Sequence, residues 1–184
     1  HALFGGLLRE FEAALGIIRG QAGSELSAML YGEYFPNPAV AQEVSWAAKG
    51  VTIFHAILGE GVGTAFLAFF VFAVTDPNNR NAPGKNLAPL FIGLTVSIVI
   101  SIVAPLTQAG LNPARDFGPR LFAWLAGWGE IAIPGPRGGF FSVYILTPII
   151  GAILGAALYQ LAFPPRAVLP PLNQGPDLNT TAGL

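Results

Sequence analysis

Three long apolar runs decide what this chain can become. Ile53–Val74, Leu87–Leu106 and Phe140–Phe163 are each long enough, as helices, to cross the ~30 Å hydrocarbon core of a bilayer. Of the 184 residues, 53% are apolar and 10% charged, against about 25% charged in soluble domains. Inside a bilayer each backbone polar group must find a partner within the protein, which favours helices. The chain therefore reads as an all-α membrane protein. Its net charge of −1 offers nothing to nucleic acid or to an anionic membrane surface, and it has no cysteine for a disulfide framework. No signal-peptide pattern opens it.

A fourth helix-compatible stretch is too short to span. Asn112 suits an N-cap, Pro113 the first helical position and Gly127 a C-terminal stop. A helix from Pro113 to Ala126 is roughly 20 Å long at ~1.5 Å per residue. It is expected to dip into the membrane and return. Its N-terminus would carry free N–H donors and partial positive charge. Asn112 can accept from its own helix while its NH2 donates outward, and Arg115 adds a fixed charge with five donors. The preceding loop, Thr107–Leu111, would leave carbonyls unpaired, which is tolerable at membrane depth only along a polar path. Donors facing carbonyls make a track for small neutral hydroxylated molecules, and a cation would meet two positive elements. Asp116 and Arg120, four apart, read as a supporting ion pair.

The remaining stretches fill in around this loop. His1–Leu8 reads as the tail of a preceding span and Arg9–Lys49 as a mildly acidic outer connection. Glu60, alone in its span, is expected to face protein or water. The nearby Gly59, Gly61 and Gly63 suit close helix packing, as do Gly151 and Gly155 in the last span. His55 reads as interfacial rather than a metal ligand. Arg80 and Lys85 place the polar connection Asp76–Asn86 in the cytoplasm. Ser97 and Ser101 share a face and suit bonding between helices. Trp124 and Trp128 suit a membrane interface, and Gly129–Gly139 reads as a surface loop. Pro164–Leu184, rich in proline, reads as a disordered tail. It holds a formal glycosylation acceptor, Asn179-Thr180-Thr181, which a cytoplasmic tail would never display to the modifying enzymes. There is no cysteine and no nucleophile–base–acid set, so no enzyme is expected and neither a cofactor nor a metal is called for.

The run Asn112-Pro113-Ala114-Arg115-Asp116-Phe117-Gly118-Pro119-Arg120, followed by Phe122-Ala123-Trp124-Leu125-Ala126-Gly127-Trp128-Gly129, resembles the second NPA loop of the aquaporin family. It is most similar to the glycerol facilitator branch, in which Asp follows NPAR and a basic residue stands four further on. The resemblance covers about Phe11 to Phe163. Aquaporins have six spans and two half-helices, so it implies that residues 1–163 are the C-terminal half of a right-handed helix bundle. That half would hold three full spans, one half-helix and the tail of a preceding span. It also implies a passive channel for glycerol and similar small neutral solutes, with water as a further permeant, in the plasma (inner) membrane and as a homotetramer when full length.

On the same basis Asn112, Arg115, Ile100, Ala109, Thr107, Gln108, Gly110 and Leu111 would line the pore, with the constriction at Ile100, Ala109 and Arg115. Glu60, Pro113, Ala114, Asp116 and Arg120 would support the loop, Glu60 as acceptor for it. Ile100 and Ala109 stand where facilitators have Gly and Phe, an exchange of bulk that removes an aromatic wall. With no His at the first position, a strict water channel is disfavoured; the combination is also similar to plant-type channels for metalloid acids. Tyr144 is a further departure, standing near a point where facilitators tend to carry Pro. A non-conducting membrane subunit is the alternative from another class. Asn37-Pro38-Ala39 is expected to be a decoy. Half-helices meeting end to end must enter from opposite faces, and only two spans separate Asn37 from Asn112. A turn or N-cap with Pro38 first is expected there.

Overall fold

The computed structural model describes residues 4–84 and 86–164, and for residues 46–48 the backbone only; the expected tail beyond Pro164 lies outside the described residues, as do His1–Leu3 and Lys85. All regular elements among the described residues are helical. Short helices α1 (Gly5–Leu15), α2 (Glu25–Ala28), α3 (Pro38–Glu43) and α4 (Ser45–Gly50) precede the long α5 (Ile53–Thr75) and α6 (Ala88–Thr107). The re-entrant α7 (Pro113–Ala123) follows. A wide-turned stretch, Phe140–Leu146, then leads directly into α8 (Thr147–Ala162). The helices Ile53–Thr75, Ala88–Thr107 and Phe140–Ala162 are long and apolar enough to cross a membrane, as the hydropathy pattern requires.

Small residues set how closely α5 and α8 approach. A Cβ on Gly151 would lie 2.5 Å from the Gly61 carbonyl oxygen, and one on Gly155 would lie 2.1 Å from that of Ala65. At the far end of this pair the Tyr159 hydroxyl donates to Asp76 Oδ2 at 2.8 Å. Hydrogen bonds from the Asn78 N–H and from Tyr159 hold the Asp76 carboxyl below the usual carboxylate range.

The other end is a packed cap. Helix α1 runs on through Arg9 and Glu12 to Leu15, so the change from span remnant to open connection expected at Leu8 does not occur. Its stop is Gly16 at φ 65°, and Ile17 N–H caps the Glu12 carbonyl at 2.8 Å. Glu12 is buried because Arg19 pairs with it at 2.9 Å, and the Arg19 guanidinium lies 4.0 Å from the centre of the Trp128 ring. Trp128 is fully buried and its indole N–H donates to Ser27 Oγ at 3.0 Å. Its place is therefore the core of this cap and not the lipid boundary; Trp124 is the exposed one of the two.

Ser97 and Ser101 also depart from expectation. Each donates to a carbonyl four residues back in α6, at 3.0 and 2.8 Å, and both stay exposed. Bonded this way, they bridge to no other helix among the described residues.

Replacing Gly155 with Leu should force α5 and α8 apart. It is expected to lower stability in detergent by at least about 1–3 kcal/mol, the usual cost of overpacking. Gly93→Ala, where nothing lies within 4 Å of the added carbon, should leave the thermal midpoint nearly unchanged.

Candidate functional site

The loop that joins α6 to α7 is held against its own backbone preference. Gln108, Ala109 and Leu111 sit at φ 66°, 59° and 53°, in the left-handed region. Such residues cost of order 1–3 kcal/mol each and persist only where neighbours fix them. Glu60 supplies much of the fixing. Its Oε1 accepts from Thr107 Oγ1 at 2.6 Å and from Gly110 N–H at 2.9 Å, and its Oε2 accepts from Leu111 N–H at 2.6 Å. From the other side the buried Tyr144 hydroxyl donates to the Thr107 carbonyl at 3.1 Å. Its ring fills the space above Gly110, where a Cβ would approach Tyr144 Cδ1 to 2.9 Å.

The loop is less open than its sequence suggests. Besides the Thr107 carbonyl, that of Gly110 accepts from Asn112 N–H at 2.6 Å, and that of Leu111 lies 3.4 Å from the Thr64 hydroxyl. The carbonyls of Gln108 and Ala109 remain without such partners among the described residues. Thr107 is fully buried behind the loop, with its hydroxyl turned to Glu60. The Gln108 side chain turns outward, where its Oε1 accepts from Tyr34 N–H at 2.9 Å.

Helix α7 begins as the cap residues require. Asn112 Oδ1 accepts from Ala114 and Arg115 N–H at 3.0 and 3.3 Å, with Pro113 in the first turn. Regular helix ends at Ala123, short of the expected Ala126. The chain then widens through Trp124–Trp128, with Gly127 turning it at φ 106°. Ile100, Ala109, Gly110, Leu111, Asn112, Pro113 and Arg115 line one open cavity of about 540 Å³, together with Thr64 and α8 residues such as Pro148, Ile149 and Ile153. Residues 100, 109, 112 and 115, far apart in character, are thus brought to one surface.

The back of α7 is clamped by charge. Arg120 Nε donates to Asp116 Oδ2 at 2.8 Å and Nη2 to Oδ1 at 3.0 Å, with both residues buried. Its remaining donors reach the Ala132 carbonyl at 2.8 Å and the Glu33 carbonyl. Asp116 Oδ1 also accepts from Glu33 N–H at 2.6 Å. The Tyr34 ring lies 4.8 Å from the Arg120 guanidinium, and its buried hydroxyl has no hydrogen-bond partner among the described residues. Burial pushes that hydroxyl up to about 12, against a smaller opposing pull from Arg120.

Asn37 caps α3 by accepting from Ala39 N–H at 3.1 Å, with Pro38 first in the helix, as the decoy reading expects. It also docks on the end of α6, donating from Nδ2 to the Ala104 carbonyl at 2.8 Å and from N–H to that of Leu106 at 3.0 Å. The contributions of Glu33, Tyr34 and Tyr144 have no signature in residue spacing, because their partners lie far away in sequence; the departure at Tyr144 was the only hint. His55 accepts from Thr52 N–H at 3.2 Å at the start of α5. No group of three or more metal-ligating side chains occurs among the described residues.

A bundle of apolar helices around a re-entrant half-helix, whose loop is held by the buried Glu60 carboxylate, defines an integral membrane protein. The chain belongs to the major intrinsic protein family, whose model matches residues 4–159. It is 41% identical over 161 residues to a propanediol uptake facilitator of Citrobacter freundii, covering 87% of this chain and 55% of that protein. Over 162 residues it is 41% identical to a glycerol uptake facilitator protein of Pseudomonas aeruginosa (88% and 53% covered). The corresponding Escherichia coli K12 protein is 39% identical over 161 residues (87% and 53%). The chain thus spans about half the length of the curated relatives it matches.

Two substitutions separate the supports of the loop. Glu60→Gln can keep an acceptor for Thr107 and Gly110 but sets an NH2 against Leu111 N–H, whereas Glu60→Leu orphans all three donors at about 1–3 kcal/mol each. Thermal unfolding in detergent should rank wild type above Gln and Gln well above Leu; equal midpoints for the two variants would remove Glu60 as the loop's anchor. Tyr34→Phe deletes a hydroxyl that has no partner and should shift stability by no more than ~0.5 kcal/mol, while Tyr34→Ala should cost about 3–5 kcal/mol through the lost ring.

Proposed function

We propose that the chain forms one repeat of a passive transmembrane channel for glycerol and similar small neutral solutes, with water as a second permeant. The observation that carries this is the asymmetry of the cavity beside α7. Ile100, Leu111, Ile149 and Ile153 give it an apolar wall, while Asn112 and Arg115 supply polar groups along the loop. Asn112 spends its oxygen on its own helix, which leaves its NH2 to donate. A polyol has hydroxyls on one edge and a carbon chain on the other, so it matches such a surface. The names of the glycerol and propanediol uptake relatives support the same solute class.

In this reading Ile100, Ala109 and Arg115 form the constriction, and Gly110, Leu111 and Asn112 carry the solute past the half-helix. Conduction without net chemistry requires no catalytic group. The full-length protein would be a homotetramer in the plasma membrane, with Asp76–Asn86 cytoplasmic and the cap around Trp128 outside. Arg80 supports that sidedness.

Vesicles carrying the full-length channel should shrink and reswell in glycerol but only shrink in a nonpermeant osmolyte. Flux at the lipid background would reject the channel and favour a non-conducting subunit. Ile100→His places a polar ring where the carbon chain would slide. Glycerol permeation should fall roughly tenfold, equivalent to ~1.4 kcal/mol, with water much less affected. A proportional fall in both would remove Ile100 from the constriction.

A further inference from the structure

Sequence alone presents Arg115 as an unopposed fixed charge, but the fold gives it a partner. Glu33 Oε1 forms an ion pair with Arg115 Nη1. The acid comes from the connection between α2 and α3, and its side chain is only 6% exposed, whereas that of Arg115 is 52% exposed. Glu33 reaches this position by its backbone. Its N–H donates to Asp116 Oδ1 at 2.6 Å, its carbonyl accepts from Arg120 Nη2, and the next N–H donates to Gln108 Oε1 at 2.9 Å. These anchors leave the carboxylate free for Arg115.

The location gives the pair a consequence. An outer cavity of about 460 Å³ is lined by Glu33, Asn37, Gln108 and Arg115, among others. Arg115 also lines the 540 Å³ cavity beside Asn112, so its guanidinium stands at the junction of the two. A long side chain at such a junction has many rotamers, and holding it in one costs entropy that a partner must supply.

We propose that Glu33 is a specificity-determining positioning residue. Its carboxylate draws the Arg115 guanidinium toward the outer connection, offsets its charge and occupies part of its donor fork. The pair thereby sets the width of the passage and the number of donors left for a polyol. This rests on the channel reading of the same site. Without the carboxylate, the guanidinium swings into the junction and obstructs a three-carbon solute more than it obstructs water. The Arg115 side of the pair is half open to solvent, and screening there keeps its contribution to stability small; its effect is on position.

The test compares wild type with Glu33→Gln and Glu33→Asp in the full-length channel. Glycerol and water permeability are measured in vesicles and thermal midpoints in detergent. The reactivity of Arg115 toward phenylglyoxal is followed by peptide mass spectrometry. In Glu33→Gln, Arg115 labelling should rise and the glycerol-to-water ratio should fall, each roughly twofold to fivefold as a partly exposed ion pair allows. The midpoint should stay unchanged, because the anchors are backbone groups. Glu33→Asp should lie between the two. Unchanged labelling and an unchanged ratio in Glu33→Gln would overturn the proposal. So would a proportional loss of both permeabilities with a lowered midpoint, since Glu33 would then act only on folding. Wild-type flux at lipid background would reject the channel reading, and the labelling comparison would still decide the tether by itself.

Discussion

The carboxylate of Glu60 is the fixed point on which the interior of this protein depends. Placing an acid within an apolar span is costly, and the cost is offset because both oxygens accept hydrogen bonds from one short segment. That segment cannot support itself, since three of its side-chain-bearing residues lie in the left-handed region. Gly110 fits because Tyr144 closes over it and leaves no room for a Cβ. The depth at which α7 begins follows from this arrangement. Asn112 is the first residue beyond the segment, so its position is fixed from behind by α5 and from the side by the stretch leading into α8.

A second constraint ties the loop to the outer cap. The buried Asp116–Arg120 pair is a weak argument for stability, because desolvating two charges consumes most of what their attraction returns. Its value is geometric. Between them the two side chains take up Glu33 N–H, the Glu33 carbonyl and the Ala132 carbonyl. Segments that would otherwise be separate surface loops become one body with α7, and Asn37 fastens the same body to the end of α6. The cap thus reaches down to the half-helix, and a residue such as Glu33 can act at a site whose sequence lies far from it.

What could be read from the sequence follows the range of the forces involved. The spans at Ile53, Leu87 and Phe140 were legible because transfer to lipid depends on the segment itself. The start of α7 was legible because Asn112 and Pro113 act within one turn. The place of Trp128 is not legible locally, because a tryptophan at a helix end satisfies a membrane boundary and a protein core equally well, and only Ser27 and Arg19, distant in sequence, decide between them. Ser97 and Ser101 are ambiguous in sequence because a hydroxyl in a helix can always bond its own backbone, as both do here. Helix α1 outran its expected limit because Glu12 is buried by pairing with Arg19, and hydropathy treats a paired acid as a free one. Parts of the site set by long-range contacts, Glu33 and Tyr144 above all, leave no local pattern to find.

The two arginines of α7 show how one helix divides structural from exposed chemistry. Five residues apart, Arg115 and Arg120 point about 140° from each other at 3.6 residues per turn. That rotation sends Arg120 into the cap, where its side chain is 1% exposed and carboxylate and carbonyl oxygens on several elements consume its donors. Arg115 is left at the junction of two cavities, with a single carboxylate against one end of its fork. A guanidinium has five N–H donors, so one partner cannot saturate it. Asp116 reinforces the division: being adjacent to Arg115 it faces away from it, and being four residues before Arg120 it faces the same way. The helix therefore presents a spent cation on one side and an unspent one on the other. Moving either arginine by one position would rotate it by ~100° and lose that distinction.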